Sequence, residues 1–253
     1  MLKFAIIAEG KSDQYVIENI LHGFFQEIED ELVVTYTQPP QSTDDPDAFG
    51  GWNQVFETLQ RGRAQEALQF NDFVVIHIDT DKQEDVGFDV PRTEKGVELT
   101  IPTRVERVIA RLVKEVGESY IAKYGPSFLF AIAVDSIECW LLPLLYNDKK
   151  AAKTTGCLEA ANKKLRKGDK QGLSSSEEKK FPEAYKPASK DFRKRKTLMK
   201  VHDKNPSLEL FIQQLVELEK RLTPSQEQGE PQEPERKPDS ETLVPETPPE
   251  ESE

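Results

Sequence analysis

The chain has 253 residues, a net charge of −12 and an apolar content of 36%, enough for one large domain or two small ones with a proper core. Its two cysteines, Cys139 and Cys157, offer neither a disulfide framework nor Cys-x-x-Cys zinc spacing. No apolar run reaches membrane-spanning length or follows the charged start of a secretory leader, which leaves a cytoplasmic protein with no membrane contact as the expectation. The average charge hides a division. Residues 1–148 carry 12 Lys and Arg against 26 Asp and Glu, residues 149–204 carry 18 against 7, and residues 224–253 carry 2 against 10. The middle block could meet a polyanion although the whole chain is acidic.

In chain order, residues 2–8 read as a strand running into Glu9-Gly10-Lys11-Ser12-Asp13, a turn in which Gly10 frees the backbone and Ser12 or Asp13 caps the following helix. Tyr15, Ile17, Ile20, Leu21, Phe24 and Phe25 recur at helical spacing to about residue 28. Leu32 to Tyr36 is a second strand, 38–51 a surface loop, and Trp52 to Leu68 a helix. The apolar run Phe73 to Ile78 is a buried parallel strand ending in Asp79-Thr80-Asp81. An acidic loop, 82–100, precedes a helix from Pro102 to about 123. A strand over 128–134 then runs into Asp135-Ser136-Ile137-Glu138 and a short apolar helix that Pro143 bends. Short helices are expected near 158–166 and 188–200, and Asn205-Pro206-Ser207 starts an amphipathic helix to Leu222. The alternation predicts an α/β fold, Rossmann-like, with a mainly parallel sheet and helices on both faces. Residues 1–148 form this α/β domain and 149–223 a basic helical extension packed on it. Residues 224–253 form a Pro- and Glu-rich tail too poor in apolar residues to fold.

Three strands thus end in acid: Glu9 with Asp13, Asp79 with Asp81, and Ser136 with Glu138. In a shared parallel sheet they converge at the carboxyl edge, where such sheets bind ligands. Asp79 and Asp81 have the same parity and face one side. Carboxylates so gathered repel one another unless a cation sits among them, and a divalent ion is the simplest answer. Two ions about 3.5–4 Å apart would suit phosphodiester hydrolysis. Glu84, Asp85 and Asp89 read as a solvated loop, Asp135 as a helix cap ahead of a ligand because its parity is opposite to that of Ser136, His77 as a satisfied core histidine, and Cys139 as buried and inert.

Glu9-Gly10-Lys11-Ser12-Asp13 after a first strand, followed by Asp79-x-Asp81 after a later one, resembles the Toprim domain of topoisomerases, primases and OLD-family nucleases. Ser136-x-Glu138 and the acid at Asp13 are most similar to the OLD nucleases. The resemblance covers about residues 1–145. It implies a Toprim-type nuclease acting on DNA or RNA with two Mg²⁺ or Mn²⁺ ions. Glu9, Asp13, Asp79, Asp81, Ser136 and Glu138 would form the metal site, with Glu9 also suited to act as general base. Glu138 to Leu142 and Asn205-Pro206-Ser207 further resemble stand-alone bacterial Toprim-like proteins of phage-defence neighbourhoods. Those imply an antiviral effector controlled by an ABC-type ATPase partner; a homo-oligomer is left open. A lysine outside the acidic motifs is expected to steady the scissile phosphate, with Lys190, Lys194, Lys196 and Lys200 as candidates. Arg193 and Arg195 join them in a cluster suited to nucleic-acid backbone contacts, or to pairing with the chain's own acids. A non-catalytic Toprim-like binding subunit is the main alternative. A haloacid-dehalogenase-type phosphatase also uses Asp-x-Asp after a strand, but there the motif sits near the start of the domain and is followed by Thr or Val rather than Lys82. Gly10-Lys11-Ser12 lacks the glycine loop of a phosphate-binding P-loop.

Overall fold

A computed structural model describes residues 1–40, 50–176 and 179–223. The predicted tail, 224–253, and most of the predicted 38–51 loop lie outside the described residues. Strand β1 (Leu2–Ile7) leads into helix α1 (Lys11–Phe24) and returns as β2 (Leu32–Gln38). Helices α2 (Trp52–Gln60) and α3 (Arg63–Leu68) connect to β3 (Phe73–Asp79). A small hairpin, β4 (Thr93–Glu94) with β5 (Val97–Glu98), precedes α4 (Ile101–Val116), α5 (Glu118–Tyr124) and β6 (Phe128–Ala133). Then follow α6 (Glu138–Leu145), α7 (Cys157–Lys167), α8 (Pro182–Ala188), α9 (Arg195–Val201) and α10 (Pro206–Leu222). Among the described residues no helix is long and apolar enough to cross a membrane.

The four main strands form one parallel sheet in the order β2-β1-β3-β6, a Rossmann-like α/β arrangement. The two strands β3 and β6 are buried along their whole length, because both faces of the sheet are covered there. Phe4, Ile6, Phe73, Val75, Leu129 and Ala131 face a core shared with α1 and the helices after residue 137. Ala5, Ile7, Val74, Ile76, Ile78 and Ile132 face α2, α3 and α4. The chain leaves β1 toward β2 and leaves β3 toward β6, so the connections diverge between β1 and β3. Such a switch point opens a crevice at the carboxyl ends of the two strands, the usual ligand position in this architecture. Glu9 follows β1 there, and Asp79 closes β3.

The 149–223 segment shares the first of these cores: Tyr185, Phe192, Leu198, Phe211 and Leu215 are fully buried in it. Helix α10 also covers the open edge of β6. Its Gln214 side chain accepts from the Phe130 N–H (2.9 Å) and donates to the Phe130 carbonyl (2.8 Å), as a neighbouring strand would. Ser207 Oγ accepts from the Val134 N–H (3.2 Å) and from Trp140 Nε1 (2.9 Å).

Several expectations about elements need correction. The predicted 52–68 helix is two helices, because Gly62 adopts φ +76° between them. The 102–123 helix breaks in the same way at Gly117, φ +104°. Left-handed backbone of this kind suits glycine and ends a regular helix. The N-cap of α1 is Gly10, not Ser12 or Asp13. Its φ of −149° is extended, so Gly10 is not there for conformational freedom. Asp13 instead accepts the Gly10 N–H from the first turn of α1 (2.8 Å). The 188–200 region is the end of α8, a 3-10 turn at Lys190–Arg193 and α9. Cys139 and Cys157 are not free: they are joined in a disulfide. They are 18 residues apart in sequence, so spacing gave no hint, but α6 and α7 pack side by side.

Candidate active site

Parity in β3 decides what meets α1. Phe73, Val75, His77 and Asp79 alternate onto the α1 face, and the two polar members lie at the carboxyl end of the strand. His77 is fully enclosed and Asp79 nearly so. Asp13, in the first turn of α1, is also buried, and its carboxylate oxygens accept from Gly10 N–H and from Ser12 Oγ (3.0 Å). His77 Nε2 lies 3.2 Å from Asp79 Oδ1 and 3.9 Å from Asp13 Oδ2. Glu9 turns in from the end of β1, and its Oε1 accepts the Asp79 backbone N–H at 2.6 Å.

The second side of the site comes from β6 and the segment after α7. Thr80 N–H bonds the carbonyls of Ala133 and Asp135, and Asp81 N–H bonds the Asp135 carbonyl at 3.0 Å. These bonds tie the Asp79-Thr80-Asp81 turn to the end of β6. Arg104, buried under the turn, donates to Thr80 Oγ1 (3.1 Å) and Gln83 Oε1 (2.8 Å). Glu138 opens α6 and is buried; it accepts from Lys180 Nζ at 2.7 Å, from Tyr185 Oη and from Ser136. Lys180 is delivered by a bridge to Ser174 and by the Phe181 N–H bond to the Leu173 carbonyl (2.7 Å). Tyr185 sits in α8, which α1 anchors through Tyr15–Glu183 (2.7 Å) and Asn19–Ser189 (2.7 Å).

The charges follow this packing. Burial, together with the Asp79 and Asp13 carboxylates, pushes Glu9 well above the usual carboxylate range. Burial also raises Asp79, to about 7, with His77 opposing and Asp13 adding to the rise. Asp81 and Asp135 are raised mainly by burial. Glu138 is the exception. Burial would raise it, but the Lys180 ammonium and the hydrogen bonds to it outweigh burial and hold it low. Burial opposes the charge of Lys180, yet Glu138, Asp79 and Asp13 hold that ammonium firmly protonated. A groove of about 790 Å³ opens beside these residues. Asp81, Asp135, Ser136 and Glu138 line it together with Lys163, Arg166 and Lys180.

Glu9, Asp13, Asp79, Asp81, Ser136 and Glu138 are therefore brought to one sheet edge. The cluster at 190–200 is not. Ser189 meets Asn19, Phe192 packs at Gly23, and Arg195 reaches the Phe24 carbonyl and Gln26 Oε1 (2.8 Å). The segment thus follows α1 away from the site. From Asp13 to Phe24 the helix rises about 16 Å. Arg195 also pairs with Glu219 (2.9 Å) and covers the Phe24 ring, and Lys194 pairs with Asp191 (2.7 Å). Lys190, Lys196 and Lys200 are exposed, and Arg193 is half-buried.

Three functional candidates were missed by sequence reasoning. His77 shares parity with Asp79 and Asp81, a signal present in the sequence but overridden by its apolar neighbours. Lys180 and Tyr185 carry no local signal, since only the tertiary path of 174–185 brings them to Glu138. Of the two roles open to Asp135, cap and ligand, the cap fails: Ile137 holds the N-cap position of α6, and the Asp135 φ of +70° turns its carbonyl to Thr80 and Asp81 and leaves its side chain on the groove. Comparison of the chain with protein-family models, curated proteins and solved structures returns no match.

Proposed function

We propose that the chain is a divalent-metal-dependent nuclease hydrolysing phosphodiester bonds in DNA or RNA. The observation that carries this reading is the convergence of carboxylates from three strand ends around a single held lysine. The residues fit a metal: Asp13 and Asp79 are buried together with Glu9 half-buried beside them, and Asp79 Oδ1 is enclosed without a hydrogen-bond partner. Glu9, Asp13, Asp79, Asp81 and Glu138 would hold Mg²⁺ or Mn²⁺. When bound, the metal would offset the carboxylate repulsion, polarise a phosphoryl oxygen and acidify water.

The chain's own residues divide the remaining work. Lys180, fixed by Glu138, keeps an ammonium at the mouth of the site, where it can donate to a non-bridging phosphate oxygen. Glu9, whose affinity for a proton is raised by its surroundings, is suited to take one from the attacking water. Tyr185 and Ser136 fix Glu138 and so fix the lysine. Lys163 and Arg166 give the groove cations for the phosphates flanking the cleaved one. The Toprim and OLD resemblance adds an antiviral setting and an ABC-type ATPase partner, to be tested by co-purification and by activity with and without that partner.

The direct test is cleavage of plasmid DNA and total tRNA with Mg²⁺ or Mn²⁺ by wild type, Glu9→Gln and Asp81→Asn. Metal-dependent cutting lost in both variants is the expected result. Cutting that survives in both would place the activity elsewhere.

A further inference from the structure

An all-carboxylate metal site leaves His77 unexplained. The ring is fully buried, and its Nδ1 lies 2.6 Å from the Ala131 carbonyl, across the β3–β6 register. A carbonyl only accepts, so Nδ1 carries a proton. The other nitrogen, Nε2, then points at Asp79 Oδ1 (3.2 Å) and Asp13 Oδ2 (3.9 Å). Nε2 and Asp79 Oδ1 are both enclosed without a hydrogen-bond partner. Ligand atoms from Asp13, His77 and Asp79 lie within 4.8 Å of one another.

These spacings are close to those of a coordination shell. Around a cation with bonds of about 2.1 Å, tetrahedral ligand atoms sit about 3.4 Å apart. An imidazole whose remote N–H is fixed on a backbone carbonyl, with the other nitrogen aimed at carboxylates, is arranged as metal-binding histidines are. The remote hydrogen bond sets the tautomer and stops the ring from turning. The Trp140 ring, edge-on at 6.1 Å between centroids, adds an apolar wall. Magnesium takes oxygen ligands, whereas Mn²⁺, Fe²⁺, Co²⁺ and Zn²⁺ accept imidazole.

We propose that Asp13, His77 and Asp79 form a mixed nitrogen–oxygen site for a divalent transition metal, so that one metal position in this protein discriminates against Mg²⁺. Its place in catalysis rests on the nuclease reading above, while the binding is measurable without any activity. His77 supplies one neutral nitrogen, and Asp13 and Asp79 supply two negative charges that balance the ion. Solvent or substrate would complete the shell.

The test uses the full chain, stripped of metal, titrated with Zn²⁺, Co²⁺ and Mg²⁺ by calorimetry. Zn²⁺ and Co²⁺ should bind at least about 100-fold more tightly than Mg²⁺. His77→Asn should lower Co²⁺ affinity at least about tenfold and leave Mg²⁺ affinity within about twofold. Equal affinity of the wild type for Mg²⁺ and Zn²⁺ would overturn the site. So would an unchanged Co²⁺ absorption spectrum in a folded His77→Asn. Should that variant not fold, histidine-labelled wild type decides by nitrogen NMR. Zn²⁺ must move the Nε2 resonance of His77 and Mg²⁺ must not; an unmoved resonance overturns the proposal. Zn²⁺ binding at His77 without cleavage would sink the nuclease reading and keep the site. Cleavage without the His77 signature would do the reverse.

Discussion

The two ends of the sheet invert what their sequences advertise. The carboxyl end looks purely acidic along the chain, yet in space it closes around Lys180, a cation from a distant segment. The opposite end receives the densest run of positive charge, Arg193-Lys194-Arg195-Lys196. There Arg195 is spent on the Phe24 carbonyl, the Phe24 ring and Glu219, and Lys194 on Asp191. Density of charge along a sequence thus says little about where a phosphate would be held. A single ammonium fixed among carboxylates is better placed for that than several solvated ones about 16 Å along a helix.

The strongest attempt to break this contrast exchanges the roles of the two ends. Lys180→Met should lower cleavage about 100-fold or more, the scale of losing one preorganised donor to a developing charge. The triple change Lys190→Gln, Lys196→Gln, Lys200→Gln should leave cleavage of a short substrate within about twofold. Gel-based cleavage rates check both, and a greater loss from the triple change would reverse the assignment of the ends.

Packing at the far end gives the next effect. A Cβ on Gly23 would lie 1.7 Å from the Phe192 carbonyl oxygen, so Gly23→Ala must separate α1 from the 190–193 turn. A cost of about 2–3 kcal/mol is expected, read as a lower denaturation midpoint in urea.

The acidic end should also set how the metal-free protein responds to pH. Asp79 is raised to about 7, and Glu9 and His77 are raised as well. A group that binds its proton more tightly when folded stabilises below its unfolded pKa, and that contribution is lost as pH rises through the folded value. The melting temperature should therefore fall by about 5 °C or more between pH 5 and pH 8. Added divalent metal should flatten the curve at its alkaline side. Thermal scans at several pH values, with and without metal, test this; a metal-free curve that rises over the same range would contradict it.

The smallest expected effect separates support from chemistry. Arg195→Ala removes contacts to Phe24 and Glu219, and should cost about 1 kcal/mol of stability while leaving cleavage rates unchanged.

The fold was legible where the chain is periodic. β1, β3 and β6 read as apolar runs ending in acid, and the meeting of their ends follows from a parallel sheet. Helix breaks at Gly62 and Gly117 were missed because each glycine lies within a continuous apolar pattern, so the register appeared uninterrupted. In the site, Glu9, Asp13, Asp79, Asp81 and Glu138 were legible because each lies within a few residues of a strand end. Lys180 and Tyr185 were not, because their position depends on α8 docking against α1 through Tyr15 and Asn19. The Cys139–Cys157 bond belongs with them, since it reports the contact of α6 with α7 and not a motif.

The glutamine clamp on β6 bears on how copies of the chain could associate. A four-stranded sheet has two borders, and on one of them the peptide unit of Phe130 is already satisfied by the amide of Gln214. That border is closed to strand addition by another polypeptide. Among the described residues, the border left for extending the sheet from one molecule into the next is β2, and a two-fold pairing of β2 with β2 would join the sheets edge to edge and antiparallel.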